Sequence, residues 1–256
     1  MSSTGQTLRT TAHIATIAGH RLHYFTTGTG SPLVLIHGYG VSGHIWQRVL
    51  PYLAQEHQVF VVDLPGYGRS RLAGQQPWRL REMAPLLAMW LRGMNLSSVH
   101  LMGQSMGGAI AIHLAASAPE MVKRLVLVSA AGIPLQTTLP TLIARSTHSF
   151  FQRCNGRYPL ALARDLLRSR LHLFWQGALE MIDSDFRAEL AAITAPTLII
   201  WGEHDVLLPI SLGYRLHEAL PHATFITVPN SGHRPMLSQP ALLSGMVLEF
   251  LAEERI

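Results

Sequence analysis

Short, almost wholly apolar runs recur along the chain, separated by longer stretches in which apolar residues follow a helical period. The clearest runs lie at residues 32–37, 59–63, 99–102, 125–128 and 197–201, and a weaker one lies at residues 224–228. Runs of this length and composition are typical of strands that are buried on both faces of a parallel sheet. We therefore predict a buried strand at each of these runs.

The N-terminal region shows a different pattern, in which polar and apolar residues alternate. The two alternating stretches, residues 13–18 and 21–27, flank a turn at Gly19 and His20, which predicts an antiparallel hairpin. Helical spacing of apolar residues is found at residues 79–93, 106–117, 211–220 and 241–252. Because strands and helices alternate, we predict an α/β fold with a mostly parallel, eight-stranded sheet and helices on both faces.

One long segment, residues 133–190, interrupts this alternation because it has no strand pattern. It has several short stretches of helical spacing instead, with Leu, Phe and Trp on their apolar sides. We expect a helical lid at residues 133–190, inserted into a core that is formed by residues 1–132 and 191–256. Such a lid would lie over the edge of the sheet at which the parallel strands end.

The composition favours an extensive core over disorder, since 48% of the 256 residues are hydrophobic and only 14% are charged. The N-terminus has no apolar stretch that could serve as a signal peptide, and no apolar run is long enough to predict a transmembrane helix. The single cysteine, Cys154, cannot form a disulfide within the chain, which fits a reducing compartment. We expect a cytoplasmic protein.

The strongest chemical signal is the sequence G-Q-S-M-G-G at residues 103–108, which directly follows a predicted strand and directly precedes a predicted helix. In this context a G-x-S-x-G motif forms a sharp turn that presents a serine nucleophile. The small residues on either side of the serine let the strand and the helix approach closely. We therefore predict that Ser105 is a nucleophile at the positive end of the following helix.

A serine hydroxyl needs a base to take its proton and, in a triad, a buried carboxylate to orient that base. His233 lies in the loop after the last predicted strand, which places it at the same sheet edge as Ser105. Asp205 lies just beyond the strand at residues 197–201. Glu203 is a possible substitute, although it is closer to the strand and its longer side chain more often reaches solvent. We predict a catalytic triad of Ser105, His233 and Asp205.

The order serine, aspartate, histidine, with each residue just past the end of a strand, resembles the α/β-hydrolase family over residues 22–251. The resemblance includes H-G-Y-G at residues 37–40 and D-L-P-G-Y-G-R-S at residues 63–70. It implies the α/β-hydrolase fold and an oxyanion hole formed by the backbone N–H groups of Tyr39 and Met106, which would stabilise charge on the carbonyl oxygen. We expect the side chains of both loops to brace the site and not to react.

Haloalkane dehalogenases and epoxide hydrolases resemble this scaffold but carry aspartate at the position of the nucleophile. Because this chain has Ser105 at that position, we favour an ester hydrolase that forms an acyl-enzyme intermediate. The alternative enzyme is a carbon–carbon bond hydrolase of ring-cleavage diketones, but those enzymes usually have Trp directly after the catalytic histidine, where this chain has Arg234. A third hypothesis is a non-catalytic binding protein on the same scaffold, although such proteins usually lose a triad member. The sequence has no zinc-ligand motif and no nucleotide phosphate loop, so we expect no metal and no cofactor.

The positive charge is concentrated in residues 143–173, which hold six arginines and one acidic residue, Asp165, within a chain of net charge +5. One interpretation is an amphipathic lid helix whose arginines extend into water. The other rests on a resemblance in charge and position to the pimeloyl-acyl-carrier-protein methyl ester esterases, which implies an acidic carrier protein at the lid. Arg164, Arg168 and Trp175 are the candidate substrate or partner contacts. We expect no nucleic-acid partner for this segment.

Overall fold

The computed structural model describes residues 9–70, 79–151, 180, 182 and 184–253, in which eight strands form one sheet. The strands are β1 (Thr11–Ile17), β2 (His20–Thr27), β3 (Ser31–Ile36), β4 (His57–Val62), β5 (Val99–Gln104), β6 (Val122–Val128), β7 (Thr197–Gly202) and β8 (Thr224–Val228). Their order across the sheet is β1-β2-β4-β3-β5-β6-β7-β8. The pairs β1–β2 and β2–β4 are antiparallel and all other pairs are parallel. The predicted hairpin and the mostly parallel, eight-stranded sheet are therefore confirmed.

Helices cover both faces of the sheet, as predicted. They are α1 (Leu50–Leu53), α2 (Leu80–Gly93), α3 (Met106–Ser117), α4 (Leu139–Phe151), α5 (Arg187–Ala192), α6 (Ile210–Ala219), α7 (Pro235–Ser238) and α8 (Pro240–Ala252), with short 3₁₀ helices at Gly43–Trp46 and Pro119–Met121. Helices α2, α3, α5 and α6 contribute to the hydrophobic core on one face, and α1, α7 and α8 contribute to the core on the other. In the part of the chain that the structure describes, no helix is long and apolar enough to cross a membrane.

The central strands supply side chains to both cores at once. In β3, Val34 and Ile36 belong to one core, whereas Leu33 and Leu35 belong to the other. The same division holds in β4, β6 and β7. Because successive side chains of a strand point to opposite faces of the sheet, a strand that is covered on both faces needs an unbroken apolar run. This is the physical origin of the runs that predicted the sheet.

The described residues within 133–190 form α4 and the beginning of α5, and none of them belongs to a strand. Two backbone hydrogen bonds join the ends of this segment. The N–H of Leu135 donates to the carbonyl of Ile182 (3.1 Å), and the N–H of Phe186 donates to the carbonyl of Gly132 (2.9 Å). The lid and its boundaries stay a prediction.

A group of basic side chains lies where the parallel strands begin, at the edge of the sheet opposite the predicted triad. His100 in β5 is 3% exposed, and the centroid of its ring lies 5.5 Å from that of His57 in β4. Burial, assisted by the positive charges of His57, Lys123 and Arg124, lowers the pKa of His100 to about 4. Since an unfolded histidine has a pKa of about 6.5, the folded protein binds fewer protons than the unfolded chain between these two values.

His100→Gln is therefore expected to make the stability less sensitive to acid. In the wild-type protein the contribution of a neutral His100 is complete above about pH 6.5 and is lost as the pH falls from there towards about 4, because protonation favours the unfolded chain. We expect the free energy of unfolding to fall by up to about 3 kcal/mol more in the wild type than in the variant over this range. Urea unfolding, followed by tryptophan fluorescence at several pH values, measures the difference.

The same substitution at the exposed His222 is the control for this prediction, and it should leave the pH dependence of stability unchanged. A wild-type pH dependence in His100→Gln would show that the buried ring is not the group whose protonation destabilises the fold.

Candidate active site

Ser105 lies at a sharp turn between β5 and α3, where the sequence motif predicts it. Its backbone has φ 54° and ψ −120°, in a region that residues other than glycine rarely adopt. The N–H of Ser105 donates to the carbonyl of Val128 (3.1 Å), and its carbonyl accepts from the N–H of Ala131 (3.0 Å). Residues at and after the end of the neighbouring strand therefore hold the turn in its strained conformation.

Two glycines allow the strand and the helix on either side of this turn to pack closely. A Cβ atom on Gly103 would lie 2.4 Å from the carbonyl oxygen of Gly107, and a Cβ atom on Gly107 would lie 2.4 Å from the carbonyl oxygen of Ile36. Both distances are shorter than any real contact, so the strand, the helix and the neighbouring β3 approach this closely only with glycine at both positions. The spacing of the motif thus follows from backbone packing around Ser105.

His233 and Asp205 form a buried, hydrogen-bonded pair. Nδ1 of His233 lies 2.8 Å from Oδ2 of Asp205, and the two side chains are 3% and 0% exposed. The other oxygen, Oδ1, accepts the backbone N–H groups of Leu207 (3.0 Å) and Leu208 (2.9 Å). Because an ionised carboxylate only accepts hydrogen bonds, Nδ1 is the donor, and Nε2 of the neutral ring carries the lone pair. The imidazole is therefore oriented to act as a base at Nε2.

Glu203, the alternative acid, has a different position. Its side chain is 50% exposed, and its Oε2 accepts the backbone N–H of Asn230 at 3.1 Å. Next to it, the N–H of His204 donates to the carbonyl of Ser231 (2.8 Å). These contacts join the loop after β7 to the loop that carries His233, and Asp205 is the carboxylate that contacts the imidazole.

The loop at residues 37–40 lies directly against the turn that carries Ser105. A Cβ atom on Gly38 would lie 3.1 Å from the Cβ atom of Ser105. Tyr39 follows Gly38 in this loop, and Met106 is the first residue of α3, where backbone N–H groups have no partner within the helix. The structure thus brings both residues of the predicted oxyanion hole next to Ser105, and their role as donors stays a prediction.

His37 anchors this loop to the loop after β4. Its Nε2 accepts the backbone N–H of Leu64 at 3.0 Å, and its Nδ1 donates to the carbonyl of Gly38 at 2.7 Å. Both ring nitrogens are thereby used for structural hydrogen bonds.

Asp63 braces the same region from the end of β4. Its carboxylate accepts the backbone N–H groups of Gly43 (2.8 Å) and Arg69 (2.9 Å), and Nδ1 of His23 lies 3.2 Å from it. Burial opposes ionisation of this carboxyl group, but the hydrogen bonds and the nearby His37 lower its pKa to about 2. Asp63 is therefore ionised at neutral pH and holds three segments together.

Two tyrosines form an aromatic wall beside Met106. The ring centroids of Tyr39 and Tyr67 lie 6.1 Å apart, and the hydroxyl of Tyr67 donates to Sδ of Met106 at 3.7 Å. Burial raises the pKa of both hydroxyl groups well above the usual value for tyrosine. The wall is therefore uncharged at physiological pH.

Gln104 also lies in the site, although no sequence pattern predicted it there. Its side-chain nitrogen Nε2 lies 3.0 Å from Nε2 of His233 and 3.2 Å from the backbone carbonyl oxygen of His233. The available signal was its position immediately before Ser105, but the contact depends on how the loop after β8 returns to the sheet. That return involves residues more than a hundred positions apart, so no local pattern reports it.

The three predicted substrate or partner contacts, Arg164, Arg168 and Trp175, lie outside the described residues, as do all the arginines of residues 143–173 except Arg145. Within the described ranges, no group of three or more His, Cys, Asp or Glu side chains is arranged to hold a metal ion.

Comparisons with known proteins identify a family that has this fold. The family whose model matches the chain is described as alpha/beta hydrolase fold, and the match covers residues 31–185 and 139–240. A curated relative, the pimeloyl-acyl-carrier-protein methyl ester esterase of Nitrosomonas europaea, is 30% identical over 246 residues, which cover 86% of this chain and 95% of the relative.

Solved structures show the same fold. A membrane phospholipase A that is described as a bacterial virulence factor matches with a TM-score of 0.84 and 26% identity, covering 94% of this chain and 86% of that one. A bromoperoxidase from Bacillus anthracis matches with a TM-score of 0.87 and 22% identity, covering 95% of this chain and all of that one. The likeness to the bromoperoxidase concerns the fold alone.

Proposed function

The chain belongs to the α/β-hydrolase fold family and is a serine carboxylic ester hydrolase, and on that premise we propose that Ser105, His233 and Asp205 form its catalytic triad. The observation that carries the proposal is the buried pair of His233 Nδ1 and Asp205 Oδ2, 2.8 Å apart, on loops that meet beside the turn of Ser105. Replacement of Ser105 by alanine tests it, together with labelling by a fluorophosphonate, which reacts with an activated serine.

In the first half of the reaction, Oγ of Ser105 attacks the carbonyl carbon of the ester while its proton moves to Nε2 of His233. The carboxylate of Asp205 stabilises the imidazolium that forms. The negative charge that develops on the carbonyl oxygen is held by the N–H groups of Tyr39 and Met106, an interaction in which each donor contributes roughly 3 kcal/mol to the barrier reduction. His233 then gives the proton to the leaving alcohol, and an acyl-Ser105 ester remains.

In the second half, water takes the place of the alcohol. His233 removes a proton from the water as the water oxygen attacks the acyl carbonyl, and the same two N–H groups hold the oxyanion. Collapse of this intermediate breaks the bond to Ser105 Oγ, which recovers its proton from His233. The carboxylic acid leaves and the triad returns to its starting state.

The two other functions that the sequence left open have less support. The residue after the proposed base is Arg234, not the tryptophan usual in carbon–carbon bond hydrolases, and its Nη1 donates to the carbonyl of Ser149 in α4 at 3.2 Å. A non-catalytic binding protein fits poorly with a chain that retains all three triad residues and is 30% identical to an esterase.

For the substrate, we propose an acyl methyl ester carried by an acidic carrier protein in the cytoplasm. The support is the name of the relative from Nitrosomonas europaea and the excess of arginine in residues 143–173. A cluster of positive charge attracts an acidic partner and accelerates its association. The small ester would enter the site while the carrier docks on the arginines.

Hydrolysis of a pimeloyl methyl ester on an acyl carrier protein should exceed that of free monomethyl pimelate in kcat/KM by about 10- to 1,000-fold at low salt. Because the advantage comes from electrostatic attraction between exposed charges, it should shrink as the ionic strength rises towards about 1 M. Steady-state release of methanol measures both substrates in the same way.

Charge reversal locates the docking surface. Arg164→Glu combined with Arg168→Glu should remove the preference for the carrier-linked ester and leave hydrolysis of the free ester unchanged. The matched control combines Arg21→Glu with Arg92→Glu, two exposed arginines outside residues 143–173, and should keep the preference. Equal rates on both substrates, with no dependence on salt, would contradict the carrier proposal.

A further inference from the structure

Gln104 places its side chain against the proposed general base. The residue is 2% exposed, and its Nε2 lies 3.0 Å from Nε2 of His233 and 3.2 Å from the backbone carbonyl oxygen of His233. The other end of the amide faces the loop at residues 37–40, since a Cβ atom on Gly38 would lie 2.3 Å from Oε1 of Gln104. Gln104 therefore fills the space between the loop at residues 37–40 and His233.

The chemistry of these contacts determines which end of the amide faces His233. A backbone carbonyl is only an acceptor, so the amide atom 3.2 Å from it is the NH₂ group. Nδ1 of the ring donates to Asp205, and Nε2 therefore carries the lone pair that accepts the second N–H of Gln104. The two hydrogens of one amide thus satisfy two acceptors of the same residue.

The Gln104 amide occupies the nitrogen of His233, Nε2, that must receive the proton of Ser105. Within the described part of the chain, the Ser105 hydroxyl makes no hydrogen bond, and the Nε2 lone pair is used by Gln104. An imidazole nitrogen has one lone pair, so the hydroxyl must replace the amide at Nε2 when proton transfer begins. The bond from Gln104 to the His233 carbonyl does not compete with that exchange.

On the basis of the triad proposed above, we infer that Gln104 is a positioning residue for the general base. One N–H holds the backbone of His233 in place beside Ser105, and the other keeps the ring oriented until the serine proton displaces it. Donation to the unprotonated nitrogen also favours the neutral ring, which is the form that accepts the proton. Gln104 thereby controls both the position and the protonation of the base.

Gln104→Leu, which keeps the approximate volume and removes both donors, should lower kcat by about 10- to 100-fold with little change in KM, because the base is no longer held in register with Ser105. The acidic limb of the kcat/KM profile should move to higher pH by about one unit. Gln104→Glu should move it further, since a carboxylate favours the protonated ring. Steady-state hydrolysis of a p-nitrophenyl ester across the pH range gives kcat, KM and the acidic limb of kcat/KM.

A second measurement needs no turnover. In a Ser105→Ala background, ¹⁵N NMR of the His233 ring reports whether Nε2 accepts a hydrogen bond, and Gln104→Leu should shift its resonance towards that of a nitrogen without a donor. An inactive wild-type enzyme that still shows this shift would count against the proposed function and not against the role of Gln104.

Gln55→Leu is the matched control, because the amide of this exposed glutamine also donates to a backbone carbonyl, that of Pro51 at 2.7 Å. It should change neither the pH profile nor the resonance of His233. The inference is overturned if both Gln104 variants keep the wild-type acidic limb and Gln104→Leu keeps the wild-type Nε2 resonance, whatever happens to kcat or to thermal stability.

Discussion

Replacing Ser105 with alanine is expected to lower ester turnover on the order of a million-fold, because the triad acts as a unit and no other group supplies the nucleophile. The residual rate would come from substrate binding and from the oxyanion hole. The fold should be retained. Ser105 makes no side-chain hydrogen bond at the start of α3, so no helix cap is lost, and alanine carries the same backbone strain at φ 54° as serine does.

The chain offers a matched control for this substitution in Ser129. It also follows a buried strand, has a positive φ of 41° and is fully buried, and its hydroxyl has no hydrogen-bond partner among the described residues. Ser129→Ala therefore removes a buried hydroxyl from the same kind of backbone position without removing a hydrogen bond. We expect its turnover to stay within a small factor of the wild type.

Three measurements test whether Ser105 is the nucleophile: hydrolysis of p-nitrophenyl esters, circular dichroism and fluorophosphonate labelling. The wild type and Ser129→Ala should each take up one probe per chain, and Ser105→Ala should take up none while unfolding at a similar temperature. Turnover by Ser105→Ala within tenfold of the wild type, or labelling at another residue, would refute the assignment of Ser105 as nucleophile.

The sheet could be predicted because a strand that is buried on both faces has a recognisable sequence pattern, a short and almost wholly apolar run. The runs at residues 32–37 and 197–201 are almost wholly apolar, and the observed strands β3 and β7 differ from them by at most one residue at each end. The helices α1 and α7 could not be predicted in the same way. Each has four residues, about one turn, which is too short for apolar residues to show a helical period.

The residues of the site differ in the same way, since some are marked by a local sequence pattern and others are not. Ser105 is marked by a local requirement, since the glycines that surround it are needed for the close backbone contacts of the turn. The contact of Gln104 with His233, by contrast, depends on where two distant loops meet, and glutamine has no preference that reveals such a partner. Residue type and spacing therefore predict the triad residues, whereas the contact of Gln104 with His233 becomes visible only with the fold.

Asp205→Asn is expected to produce the second large loss, a fall in kcat of about 10,000-fold at neutral pH, through the wrong tautomer of His233. The oxygen Oδ1 of Asp205 accepts the N–H groups of Leu207 and Leu208, so an asparagine must keep its carbonyl oxygen there. Its NH₂ group then faces Nδ1 of His233, which has to accept a hydrogen bond instead of donating one. The ring proton consequently moves to Nε2, and the base can no longer receive the proton of Ser105.

The companion substitution Glu203→Gln separates this effect from a general change of charge at the end of β7. Glu203 is a half-exposed carboxylate two residues from Asp205, and a glutamine there can preserve the hydrogen bond to the N–H of Asn230. We therefore expect the kcat of the Glu203→Gln variant to stay within about threefold of the wild type, as for most surface substitutions. Steady-state kinetics at pH 7 and thermal unfolding of both variants make the comparison. If Glu203→Gln loses activity and Asp205→Asn keeps it, Glu203 is the acid of the triad; if both keep it, the buried pair is structural and His233 acts without a carboxylate partner.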